Sequence, residues 1–460
     1  MVGSKLLKSL LERKFVRDTL ILQVGKFGVI GLGALSSLMV WRLLQPEAFG
    51  VYATAESFLA LWHTLDLTGV GTALNTRLGL AIGARQPEEV LDVMAFFVKV
   101  STVVQVSIAL LIGVLGAGVA ASLYDNPQIG LIAAGLGVAS IADALYGMLT
   151  TTFLARRRMS TLAALLIANQ GALALCMIGA AVISPTPISL LIGRLIYSYG
   201  TLIMAIIVYS RARDAIDGEE MAFPALPDVI RHMWRAPVRK YLRFGAANAI
   251  DKNLATLYIQ LPTQITALVS GSAAVGYLNF ALSAIVQAGV LMSAIFDNLQ
   301  AVVPQAVGRG DYAALWRNFG RILAALAIGG AVFFGVVGLV SPAIVPWVLG
   351  PEWIPAVPAL ITLTFYGALT TAGGVFGPLY RALDIMGAAL FAKIVPLITV
   401  LPIGAAILLS TPGLSDQAAA VGGGWMINCL FIGSVTITGM LTLRELRRRA
   451  RSTGGTSQSA

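Results

Sequence analysis

The chain has 460 residues, of which 57% are apolar and 12% charged, with a net charge of +10 and a mean hydropathy of +0.83. A soluble domain carries roughly 25% charged residues, so a water-soluble fold is excluded. The apolar residues gather in segments long enough for helices to cross a hydrocarbon core roughly 30 Å thick. Lipid leaves no backbone hydrogen bond unpaired, so the expected fold class is all-α and polytopic.

In chain order, the segment 1–18 is basic, and within it Leu6, Leu7, Leu10, Leu11 and Phe15 recur at helical spacing, as in a helix lying in the membrane interface. No small-residue cleavage site follows the first apolar run, so the first helix itself is expected to direct insertion. Spanning segments are expected at 19–40, 51–73, 93–122, 128–153, 160–183 and 187–210. A long charged linker, 211–240, follows, and its stretch 228–241 sets Val229, Ile230, Met233 and Trp234 among basic residues, again as in an interfacial helix. The second series runs 241–268, 273–298, 319–349, 355–380, 386–410 and 417–443, which makes twelve spans in two six-helix bundles, 19–210 and 241–443. The tail 444–460 begins basic and reads as disordered beyond Arg451. Cys176 and Cys429 lie inside apolar segments; they read as small core residues, with no disulfide framework and no metal spacing.

The basic residues set the orientation, since cytoplasmic loops carry the excess of Lys and Arg. Of the 32, Arg42 alone falls in the opposite loops and five fall well inside spans; the rest, with Arg243 and Arg321 at the very starts of their spans, share one side with both termini. The expectation is a multi-pass protein of a bacterial inner membrane, with cytoplasmic N and C termini. The net charge is then an insertion signal and an attraction to anionic headgroups, not a sign of nucleic acid.

The two halves share a pattern. Placing Gly50 on Gly276 sets Phe49-Gly50 against Val275-Gly276 and Ser57 against Ser283. Both glycines then mark a tight turn into the second helix of a bundle, where a side chain would crowd the backbone. Six helices per half make the repeat parallel, an arrangement that leaves a cavity between bundles. The same offset carries Lys26 onto Lys252.

The segments LLQPEAFGVYATAESF, LDLTGVGTALNTRL, AAVGYLNFALS, VPQAVGRGDYAALWRN and VLGPEWIPAVPALITL together resemble lipid-linked oligosaccharide (Wzx-like) polysaccharide flippases. These form a branch of the superfamily that also contains the multidrug and toxin extrusion antiporters. The resemblance runs from about residue 19 to residue 380. It implies two pseudo-symmetric bundles, alternating access, and export of a lipid-linked glycan from the cytoplasmic leaflet. Partners would be that glycan, membrane lipids and other membrane proteins of polysaccharide assembly. Twelve spans suit the glycan exporters better than the fourteen-helix peptidoglycan-precursor type.

A lipid-linked sugar of this kind carries a diphosphate, and a polar path across hydrocarbon needs cations to replace its lost water. Lys26, Lys252, Arg194, Lys99 and Lys393 are the cations well inside spans and the candidate lining of a cationic central cavity. Asp66, Asp143, Asp251 and Asp297 are candidate proton or sodium sites. Against these roles stand structural ion pairs, such as Lys26 with Asp66 or Lys252 with Asp297, a local charge offset between Asp251 and Lys252, and snorkelling to the interface. Gln260 and Gln264 are placed either to bond sugar hydroxyls or to join helices. The glycines 25, 28 and 31 read as a packing face, and Pro262, Pro396 and Pro402 fall within spans. Neither a phosphate-binding loop nor H-E-x-x-H is present, which disfavours an ATP-driven pump and a zinc hydrolase. No enzyme activity, cofactor or metal is expected. The alternatives are a cation-coupled drug antiporter of the same superfamily and, further off, a glycan polymerase or ligase, which would need larger outer loops.

Overall fold

The computed structural model describes residues 25–156, 158–214, 223–291, 299, 303, 306–307 and 312–456. The expected interfacial helix at 5–15 and the candidate Asp297 lie outside them. In chain order the helices are α1 (Gly25–Leu43), α2 (Pro46–His63), α3 (Val70–Gly83), α4 (Pro87–Tyr124), α5 (Pro127–Ala155), α6 (Met159–Ile183), α7 (Pro187–Asp214), α8 (Leu226–His232), α9 (Val238–Ser270) and α10 (Ser272–Val290). They continue with α11 (Tyr312–Leu349), α12 (Val357–Gly373), α13 (Phe376–Ala382), α14 (Met386–Leu409) and α15 (Asp416–Thr456); a 3-10 turn, Pro351–Ala356, precedes α12. Pro46, Pro87, Pro127 and Pro187 each open a helix, where the missing N–H costs nothing and the fixed φ favours the first turn. At α5 the Asn126 side chain completes the start by accepting from the Gln128 N–H at 3.0 Å.

Ten of the described helices are long and apolar enough to cross a membrane. Two expected spans meet that measure less well, for different reasons. Helix α9 is 33 residues long but carries Asp251, Lys252, Gln260 and Gln264. The expected second span is broken: α2 ends at His63 and α3 starts at Val70. In the gap the Asp66 carboxylate accepts from the Thr68 N–H at 2.9 Å and its hydroxyl at 2.5 Å, a local bonding pattern that competes with the helical ladder. Gly69 then takes φ 55°, and its backbone lies so close to Gly245 that an added Cβ would strike the Gly245 carbonyl.

The chain divides into two compact units. One contains the described part of Met1–Leu44 together with Trp62–Ile250. Its core includes Phe96, Phe153, Tyr209, Phe223, Val229 and Tyr241. Phe223 lies 5.8 Å from Phe153 and 5.0 Å from Tyr209 between ring centres, with the Arg156 guanidinium 3.9 Å above its face. The linker docks on the start of α4: His232 Nε2 lies 2.6 Å from Asp92 Oδ1, and Lys240 Nζ 2.5 Å from Glu89 Oε2. Along α1, Gly25 meets Ala163 and Gly28 meets Ile167, whereas Gly31 faces open space.

The second unit contains Gln45–Leu61 and Asp251–Ala460, so most of α2 groups with the later half of the chain. Here three of the five segments that carried the family resemblance converge. Trp353, 1% exposed, is ringed by Phe49, Tyr277 and Phe280 at 6.1, 6.3 and 5.2 Å. Gly50 and Gly276 are not turn residues; both sit inside helices, α2 and α10. A Cβ on Gly50 would run into the Ser272 carbonyl, and one on Gly276 into the Pro46 carbonyl. The crowding expected from the sequence is real, but its cause is two helix backbones in contact, as small residues permit in membranes. Gln264 joins helices as well, its side-chain N–H donating to the Thr54 carbonyl at 3.2 Å.

Three local expectations change. The stretch 228–241 is not one helix: α8 stops at His232 and α9 starts after Pro237, where proline disfavours helix in the residue before it. The last helix runs to Thr456, past Arg451, because extending an existing helix adds a backbone bond per residue fixed. Cys176 is half-buried and Cys429 exposed, so neither is a closed core residue.

Candidate functional site

Among the described residues, each unit brings a candidate carboxylate together with a candidate cation. In the second unit the pair is Asp251 on α9 with Lys393 on α14. Asp251 is 8% exposed. Lys393 Nζ donates to Asp251 Oδ1 at 2.5 Å and to the Asp251 carbonyl at 3.3 Å. The Tyr258 hydroxyl, about two turns further along α9, donates to the Lys393 carbonyl at 2.8 Å. That bond ties the two helices a second time. Lys393 also lines a cavity of about 240 Å³ with Thr370, Tyr380, Ser434 and Thr438. Ligand pockets run to roughly 300–1,000 Å³, so this space suits water or a small ion better than a saccharide.

In the first unit Asp143 on α5 meets Arg194 on α7, with Arg194 Nη2 2.6 Å from Asp143 Oδ2. The Arg194 guanidinium lies 5.0 Å from the Tyr197 ring centre, and the Tyr197 hydroxyl accepts from Asn169 Nδ2 at 2.9 Å. The result is a chain of four polar groups across α5, α7 and α6. By helix rise, Asp143 stands about 24 Å along α5 from its start, deep enough that an unpaired charge would be costly.

The remaining described candidates are Lys26, Lys99, Lys252 and Asp66. Lys26 is half-buried on α1, and Lys99 on α4 reaches the Trp234 carbonyl at 3.5 Å. Lys252 is exposed, and among the described residues no carboxylate pairs with it. The local offset of Asp251 by Lys252 therefore does not form; consecutive helical residues point about 100° apart, and Asp251 turns to α14 instead. Asp66 serves the break between α2 and α3. Tyr258, Tyr380, Asn169 and Tyr197 escaped the sequence reading because none is an intramembrane charge. Their single signal is a polar tip inside an apolar run.

Pairs of this kind hold helices in register and cancel buried charge. A cation outside them keeps its capacity for phosphate or carboxylate.

Comparison with known proteins follows this geometry. A family described as polysaccharide biosynthesis protein matches residues 39–358. Among curated proteins, none matches the chain. The fold is that of solved MATE transporters. The inward-facing form of a multidrug resistance MATE family transporter of the MOP superfamily aligns with TM-score 0.68 and 13% identity, over 93% of this chain and 96% of that one. An outward-facing form gives 0.61 and 14%, over 95% and 96%. The eukaryotic MATE transporter AtDTX14 gives 0.59 and 15%, over 95% and 99%.

Proposed function

We propose that this chain, which belongs to the polysaccharide biosynthesis protein family, moves a lipid-linked, diphosphate-bearing oligosaccharide from the cytoplasmic to the outer leaflet of a bacterial inner membrane, with both termini cytoplasmic. Family and fold are those of a multi-pass transporter rather than an enzyme. The observation that carries the cargo assignment is the charge balance around α9. Asp251 is closed by Lys393, while the adjacent Lys252 is left exposed. An ammonium with no carboxylate to answer it favours an anionic cargo. The same closure removes carboxylates that a cationic drug would need, since Asp143 and Asp251 are both occupied by basic partners.

In this reading Lys252 meets the diphosphate. Arg194 and Lys393 hold neighbouring helices together, each within its own unit, through Asp143 and Asp251, and these two pairs are the places where proton coupling can act. A hydrogen bond to a charged group is worth about 1.5–3 kcal/mol, so losing Lys252 should slow export roughly 10- to 150-fold. The test expresses Lys252→Met and Lys252→Arg at equal protein level in cells lacking the wild-type gene, and measures surface glycan and accumulated lipid-linked sugar. Met should block export and Arg should keep it. Undiminished glycan export in Lys252→Met, or cationic-dye efflux with no glycan phenotype on deletion, would refute the assignment.

A further inference from the structure

The last helix ends in four arginines, Arg444, Arg447, Arg448 and Arg451, at the i, i+3, i+4, i+7 spacing that places them on one face. All four are exposed, while Leu446 on the opposite face is buried. Arg449 turns inward. Its Nε meets Glu445 Oε1 at 2.8 Å, its Nη2 donates to the Leu383 carbonyl at 2.9 Å, and its guanidinium lies 5.9 Å from the Tyr312 ring. Glu445 also meets Arg448 at 2.8 Å. Its carboxylate is thus spent on two arginines, and among the described residues no acid pairs with Arg444, Arg447 or Arg451.

Like charges three and four residues apart on a helix repel. Glu445 answers Arg448, but holding Arg444, Arg447 and Arg451 beside it is a standing cost unless a further anion lies among them. The space for one exists: the four arginines, Leu443 and Trp316 of α11 line a cleft of about 520 Å³. Its height fits a headgroup. From Arg444 to Arg451 the helix rises about 10 Å, beyond the apolar run that ends near Leu443, and the headgroup layer on each side of a bilayer is roughly 5–8 Å thick. Trp316, part-exposed on the facing wall, has the amphipathic character of tryptophans at membrane interfaces.

We propose that this arginine cleft binds the phosphodiester headgroup of an anionic phospholipid of the surrounding bilayer. Guanidinium forks grip two phosphate oxygens at once, the Trp316 ring packs on the glycerol and first acyl carbons, and the positive walls reject a headgroup that carries its own ammonium. The site therefore selects phosphatidylglycerol over phosphatidylcholine. This does not depend on the identity of the transported cargo.

The test uses the full-length protein in neutral detergent, with bound lipid counted by native mass spectrometry during titration with phosphatidylglycerol, phosphatidylcholine or inorganic pyrophosphate. Phosphatidylglycerol should bind the wild type at least about ten-fold more tightly than phosphatidylcholine. Arg447→Gln should weaken it about five-fold, equivalent to about 1 kcal/mol per basic residue. The triple variant Arg444→Gln, Arg447→Gln, Arg451→Gln should weaken it about a hundred-fold. A charge-matched triple, Arg231→Gln, Arg235→Gln, Arg239→Gln, alters three equally exposed arginines elsewhere and should leave binding unchanged. Equal binding of the two lipids, or equal losses in the two triples, would reduce the cleft to diffuse attraction and overturn the proposal. Displacement of phosphatidylglycerol by pyrophosphate would overturn it too, assigning the cleft to a soluble phosphate.

Discussion

Removing Lys393 tests whether the Asp251–Lys393 pair is a closed unit. Lys393→Met keeps most of the side-chain volume and deletes the ammonium that sits 2.5 Å from Asp251 Oδ1. The side chains of Asp251 and Lys393 are 11% and 20% exposed, so little water is at hand to replace the lost partner. Breaking one side of a buried pair costs about 3–5 kcal/mol. The partial exposure of Lys393 places the expected cost near the lower end, about 3 kcal/mol, or roughly a hundred-fold in the folding equilibrium. Asp251→Asn leaves the ammonium unanswered in the same way and should cost a similar amount. The double variant removes both charges, and replacing a whole buried pair by neutral groups is often close to neutral. The double variant then escapes nearly all of both single losses, so the double-mutant cycle should give a coupling energy of about 5–6 kcal/mol in magnitude.

The assay is reversible unfolding of the purified variants in one detergent, read by tryptophan fluorescence, with Lys393→Arg as a charge-preserving control. Additive single losses, with coupling under about 0.5 kcal/mol, would refute the claim that the two side chains act as a unit. Glycan export measured on the same variants separates stability from transport. If the double variant is stable but exports nothing, the pair itself takes part in the cycle.

Gly50→Ala forces a methyl group into the Ser272 backbone and should destabilise the protein by about 1–3 kcal/mol. Gly71→Ala, which faces open space in α3, should be neutral or stabilising by up to about 1 kcal/mol, and the two are compared by thermal unfolding. Trp353→Ala empties the site ringed by Phe49, Tyr277 and Phe280 and should cost about 3–5 kcal/mol, visible as a lowered melting temperature. Replacing His232 and Lys240 together by Ala removes the contacts of α8 and the start of α9 to Asp92 and Glu89. These groups are part-exposed, so the loss should stay at about 1 kcal/mol, and it should show as faster proteolysis in the linker rather than as global unfolding.

The membrane class and the helices were legible because they rest on composition and on lengths of apolar sequence. Matching Gly50 to Gly276 also singled out two positions that share a contact. What the pattern could not supply was the direction of that contact. Read as local turn chemistry, the glycines served their own chain segments; in the structure each makes room for the other's helix. The pairs were hidden for a related reason. Arg194 and Asp143 are 51 residues apart, and Lys393 and Asp251 are 142 apart. No periodicity links such positions, so the individual charges could be named and their partners could not. The nearest carboxylate in sequence was the natural guess, and at Asp251 it failed because adjacent helical residues diverge.

The pairing pattern bears on how a chain like this can carry charge across lipid. Asp143–Arg194 closes inside the first unit and Asp251–Lys393 inside the second. Neither pair has to break if each unit moves as a body, so a conformational cycle need not expose those charges to hydrocarbon, where each would cost several kcal/mol. Lys252 has no such closure among the described residues, and its cost is relieved by water or by cargo. A diphosphate that answers this ammonium in one state more fully than in another shifts the balance between states by that difference in affinity. Under the proposed function, the two pairs make the units durable and the exposed lysine makes them responsive to the cargo's charge.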